Sequence, residues 1–123
     1  LMLISSNIGS FPCNSLEEYK AHLETCFQQE NEIWCSQSEE SKYPCLSILV
    51  KCDQAVVNYF EAEDGGEMLV SFGDEEAEDI VSFCDGQYEI AAWQVIPASD
   101  AMECALEFFQ SQNAPGCIDW GEL

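Results

Sequence analysis

Arginine is absent from this 123-residue chain, and lysine occurs only at positions 20, 42 and 51. Against 24 Asp and Glu residues this leaves a formal charge of −21 with the single histidine neutral. Sequence-independent binding to DNA, RNA or an anionic membrane depends on Lys and Arg neutralising phosphates, so the composition argues against all three as direct partners. Phosphate and carboxylate substrates would find equally few binding groups. No C-x-x-C occurs among the cysteines at 13, 26, 35, 45, 52, 84, 104 and 117, so the paired spacings of zinc and iron–sulfur sites are missing. Also missing are a Gly-rich phosphate loop, G-x-S-x-G and H-E-x-x-H. His22 stands alone beside Leu23 and reads as a structural or exposed residue. No window approaches the roughly 18–20 apolar residues that span a bilayer, and Leu1–Ser6 lacks the charged and long apolar regions of a secretory signal. A soluble cytoplasmic protein is the resulting expectation.

The chain nevertheless carries what a folded core needs. Its 47% apolar and 11% aromatic content is incompatible with a highly charged disordered segment. The length fits one domain over 1–123 that buries a core without disulfides or metal. Free cysteine is among the most buried residue types, so the eight are expected to be reduced and mostly interior.

Charge divides the sequence sharply. Residues 1–60 hold eight acids and three lysines, whereas residues 61–123 hold sixteen acids and no base. The density peaks over 61–79, with Glu61, Glu63, Asp64, Glu67, Asp74, Glu75, Glu76, Glu78 and Asp79. Calcium is the metal such oxygens would suit, but the alternating ligands and terminal Glu of an EF-hand loop are absent, and no metal or cofactor is expected. Paired carboxylates for glycoside hydrolysis occur by chance among so many acids and carry no weight without geometry. With no matched catalytic set, the chain reads as a non-enzyme.

Ser15-Leu16-Glu17-Glu18 is a capping box, and Leu16, Tyr19, Leu23, Cys26 and Phe27 recur at helical spacing, which predicts a helix over 15–28. Strands are predicted at Glu32–Ser36, Tyr43–Cys52, Ala55–Phe60 and Glu67–Phe72, the last three forming two hairpins through Asp53-Gln54 and Asp64-Gly65-Gly66. Ile80–Cys84 and Tyr88–Val95 are further strand candidates. A second helix is predicted after Pro97, with Ser99 as cap, Asp100 in the first turn, an apolar face through Met102, Ala105, Leu106 and Phe109, and an end at Pro115-Gly116. Cys117–Trp120 offers a last short strand. The sum is an α+β fold, a mainly antiparallel sheet with one helix near the N-terminus and another near the C-terminus. Trp34, Trp93 and Trp120 fall in strand-like segments and read as core residues, Trp120 alternatively as an interface anchor.

On the second helix Asp100, Glu103 and Glu107 form a negative stripe with no lysine between them, each like-charge pair costing roughly 0.2–0.5 kcal/mol. Accepting that repulsion points to selection for a cationic partner, whose approach the field would accelerate and orient. The candidate contacts are therefore the nine acids of 61–79, with Asp100, Glu103 and Glu107 as a second surface.

The last third of the chain carries a family likeness. Trp93-Gln94-Val95-Ile96-Pro97, then Ser99–Phe109, then Ala114-Pro115-Gly116-Cys117-Ile118-Asp119-Trp120-Gly121-Glu122-Leu123 resembles the closing segment of the immunity-protein family numbered one in bacterial polymorphic toxin systems. The shared pattern is a strand, a helix ending in a Phe-Phe-like pair, a turn with Pro, and a terminal Ile-x-Trp-x-x-Leu. The resemblance implies a small cytoplasmic α+β inhibitor that binds a cognate basic toxin domain one-to-one, as a monomer. It further implies that the toxin is a nucleic-acid deaminase, or next a nuclease, and that its active-site cleft is occluded. The alternative is an acidic secretion chaperone, which would hold an extended effector segment on an apolar dimer surface.

Overall fold

The computed structural model describes residues 2–122. In chain order the elements are β1 (Met2–Ser6), β2 (Gly9–Cys13), α1 (Leu16–Cys26), β3 (Asn31–Ser36), β4 (Cys45–Lys51), β5 (Gln54–Phe60), β6 (Met68–Ser71), β7 (Ile80–Phe83), β8 (Tyr88–Ala91), β9 (Ile96–Pro97), α2 (Ala98–Ser111) and β10 (Trp120–Glu122). A 3-10 turn at Ala92–Gln94 separates β8 from β9. The main sheet runs β10-β6-β5-β4-β3-β1-β2, with β9 paired to β5, and β7–β8 form a separate two-stranded sheet. Every pairing is antiparallel, so the α+β expectation holds.

Sequence and structure agree most closely where local chemistry is strongest. Ser15 caps α1 by accepting a hydrogen bond from the Glu18 backbone N–H at 3.2 Å, and the Glu18 carboxylate returns to the backbone N–H of Asn14 at 3.3 Å. The capping box thus closes one residue earlier than its ideal form. Tyr19, Leu23 and Cys26 form the buried face, while Leu16 at the first turn is exposed. The β4–β5 hairpin turns at Cys52, whose φ is 56°, and the β5–β6 connection uses Gly65 at φ 75°.

Several boundaries differ from expectation. The hairpin β1–β2 was not predicted at all. β2 is the sheet's edge, where the missing N–H of Pro12 is tolerated. The strand expected over Tyr88–Val95 stops at Ala91, because the 3-10 turn redirects the chain so that β9 can reach β5. α2 begins at Ala98, directly after Pro97, so Ser99 lies inside the helix and does not cap it. It ends at Ser111 because Gln112 adopts a left-handed φ of 53°, three residues before Pro115. The closing strand is Trp120–Glu122 in place of Cys117–Trp120 and pairs with β6.

Antiparallel alternation gives the main sheet two faces. One packs against both helices and holds the principal core, including Ile4, Ile33, Ile48, Val57 and Tyr59 with Tyr19, Leu23 and Phe108. The Tyr19 hydroxyl donates to the Ala105 carbonyl at 2.8 Å, joining the two helices beneath the sheet. On the other face, which we call the outer face, a smaller core of Leu49, Val56, Val70 and Phe83 is closed by the β7–β8 hairpin and Trp93.

Candidate interaction site

Two acidic segments lie at opposite ends of β6. The loop before it carries Glu61, Glu63, Asp64 and Glu67, all exposed. It is pinned by Glu61 N–H donating to the Glu67 carbonyl at 2.9 Å. Gly66 is required there, since a Cβ would sit 2.9 Å from the Ala62 nitrogen. The segment after β6 carries Asp74, Glu75, Glu76, Glu78 and Asp79, also exposed. Its shape comes from Ala77 N–H to the Asp74 carbonyl at 3.0 Å, Glu76 N–H to Asp74 Oδ1 at 3.0 Å, and Ala92 N–H to the Asp79 carbonyl at 2.8 Å. The four residues of β6 separate the two segments by roughly 10 Å of strand.

Asp100, Glu103 and Glu107 are exposed on α2, on the far side of the sheet from the outer face. Asp100 shares a shallow hollow with Gly73 and Asp119, which brings the first turn of α2 beside the segment carrying Asp74–Asp79. Glu107 is partly committed internally, because its Oε2 accepts from the Gly116 N–H at 2.7 Å. The twelve expected acids therefore do not converge on one spot. They form a field over the β6 flank, with Glu103 and Glu107 behind it.

The eight thiols are free, and five of them are buried. Burial pushes the Cys35 thiol up to about 12 and that of Cys45 to about 11, and raises Cys104 further. Such thiols are poor nucleophiles and poor metal ligands at neutral pH. Burial, followed by the Glu61 and Glu67 carboxylates, raises the Tyr59 phenol. His22 stacks on Phe11 with centroids 4.5 Å apart, a packing role. Among the described residues no three His, Cys, Asp or Glu side chains converge as a metal site, and no helix is long and apolar enough to cross a membrane.

What sequence reasoning missed is apolar. The β7–β8 hairpin covers only the Leu49–Val56–Val70 end of the outer face. At the other end Trp34 on β3 and Phe60 on β5 stack across β4, centroids 6.1 Å apart, above small Cys45 and Ser47. Trp34 remains 39% exposed, so the expectation that it packs in a core fails. Trp120, half-buried, does pack against the helix-side core, and its Nε1 donates to the Pro115 carbonyl at 2.7 Å. Trp93 packs on the outer core. Tyr43 at 39% and Met68 at 48% exposure complete the open patch. The available signal was the alternation of β3, where inward Ile33 and Cys35 force Trp34 outward.

The sequence is 33% identical over 89 residues to a double-stranded DNA deaminase immunity protein of Burkholderia cenocepacia (strain H111), a match spanning 69% of this chain and 70% of the relative. No protein-family model matches the chain.

Proposed function

The chain belongs to the family of the double-stranded DNA deaminase immunity protein, and on that premise we propose that it binds a cognate deaminase toxin and neutralises it by occluding the toxin's basic active-site cleft. The relationship to that relative is the observation that carries the reading. The charge of this chain supports it independently. A deaminase working on duplex DNA must offer cations to a polyanion, and a protein of formal charge −21 competes for those same cations. The exposed acids flanking β6 are free to act as that field, drawing the partners together before short-range contacts form. We read residues 1–123 as one such domain, acting in the cytoplasm as a monomer in a one-to-one complex. The closing segment from Trp93 to Leu123 supports its placement in the immunity-protein family numbered one.

The test is a deamination reaction on a duplex oligonucleotide, catalysed by the cognate deaminase domain. Adding one equivalent of the chain is expected to abolish turnover, with slower inhibition at high salt because the steering field is screened. Undiminished turnover at a saturating excess would overturn the reading. Turnover by the chain alone would contradict its role as a non-enzyme.

A further inference from the structure

A solvated face of an antiparallel sheet normally carries polar side chains, and contiguous apolar patches on a monomer mark contact surfaces. The open end of the outer face departs from that norm. Leu3, Trp34, Tyr43, Phe60 and Met68 gather there, and no element of the described chain covers them. Four features give the patch the character of an energetic anchor. Trp34 and Tyr43 are of the types enriched at hot spots, and Phe60 and Met68 of types enriched in interface cores. Its two stacked rings project from β3 and β5, strands paired on both edges, so little ordering entropy is lost on binding. Beside Trp34 lies a hollow of about 280 Å³ bordered also by Leu3, Tyr43, Glu39 and Lys42, with Ser5, Ser36 and Ser38 among its lining. Finally, the rim is acidic. The β5–β6 loop springs from Phe60 and Met68, which face each other across the strands, and places Glu61, Glu63, Asp64 and Glu67 beside the patch. Glu39 and Glu40 stand on the opposite side, and Lys42 is the one cation of these two connections.

We propose that this uncovered half-face, centred on Trp34 and Phe60, is where the basic toxin domain docks, with a toxin arginine or lysine entering the hollow between Trp34, Tyr43 and Glu39. This inference rests on the functional reading above and adds the surface to it. An aromatic face beside a carboxylate is the arrangement that holds a guanidinium or ammonium group. Segment 74–79 and the α2 stripe then act at a distance, through the field, and Glu61–Glu67 form the contact rim.

The test measures affinity for the cognate deaminase domain, inactivated in its active site, for the unaltered chain and for Trp34→Ala, Met68→Ala, Gln110→Ala on the exposed side of α2, and Ile80→Ser. Ile80 is 67% exposed on the β7–β8 hairpin and serves as an apolar control. Trp34→Ala is expected to weaken binding about 30-fold or more, a hot-spot effect. Met68→Ala should weaken it several-fold, and both controls should stay within threefold. Thermal unfolding of each variant separates lost contact from lost fold, and Met68→Ala keeps the test open if Trp34→Ala is unstable. If the unaltered chain binds and Trp34→Ala and Met68→Ala bind equally well, the surface assignment falls and the functional reading stands. A chain that binds no deaminase domain overturns both. A homodimer through this face in sedimentation, lost in Trp34→Ala, also overturns the assignment.

Discussion

The two faces of the main sheet are built to different ends. Behind the sheet, α1 and α2 seal Ile4, Ile33, Ile48 and Val57 from water, and the core there is continuous from Met2 to Phe108. In front, a small hairpin sets its own Phe83 over Leu49, Val56 and Val70 and leaves aromatic rings in solvent. Polar tethers supplement the hairpin's limited apolar contact. The Tyr88 hydroxyl donates to Glu32 at 2.8 Å, the Cys84 N–H donates to Glu30, and Lys51 Nζ donates to the Ser82 carbonyl at 2.6 Å. One face therefore supplies the fold's stability, and the other retains the unburied apolar area that a partner can use.

Truncating one residue on each face breaks the symmetry most visibly. Phe108→Ala, in the helix-side core, is expected to cost about 3–5 kcal/mol in urea unfolding, whereas Trp34→Ala, which loses a half-exposed stack, should cost about 1–2 kcal/mol. A comparable loss at Trp34 would make it a core residue and remove the distinction.

Alkaline titration sharpens the comparison through the thiols. Burial raises Cys35, on the helix side, from its ordinary 9.0 to about 12. The folded state then holds a proton that the unfolded chain releases above pH 9, so this stability is complete below pH 9 and is lost as pH rises toward 12. For Cys35 the loss by pH 11 is about 2–3 kcal/mol. Cys35→Ser should make that decline shallower by the share of Cys35, with Cys45 and Cys104 keeping theirs, and an equally steep fall in the variant would assign it elsewhere.

The hairpin gives the smallest effect. Glu32→Ala removes the acceptor of Tyr88 and should lower the free energy of hairpin opening by about 1 kcal/mol in amide exchange, with α1 and α2 unchanged. Equal loosening of the helices would mean that the two cores unfold as one.

How much of this was legible depends on where the information resides. The Ser15 cap, the β4–β5–β6 meander and the two helices are set by local spacing, and all three appear in the structure. The β1–β2 hairpin escaped because Pro12 and the serines of 5, 6 and 10 mask the alternation of Met2 and Ile4. Ser99 misled because Pro97 supplies extended geometry at the cap, φ −61° and ψ 141°, with no side-chain bond. The acids were visible as charge, but only tertiary packing sends Glu103 and Glu107 behind the sheet. Trp34 reads as core in any composition argument, and its exposure follows from how far the hairpin reaches across a neighbouring strand.

Hydrogen exchange of the chain, free and bound to its deaminase domain, tests the division between faces most directly. Binding is expected to slow exchange in β3, in β5 and through residues 60–68, and to leave α1 and α2 as they were. Protection confined to α2 or to residues 74–79, with β3 and β5 unaffected, would contradict it.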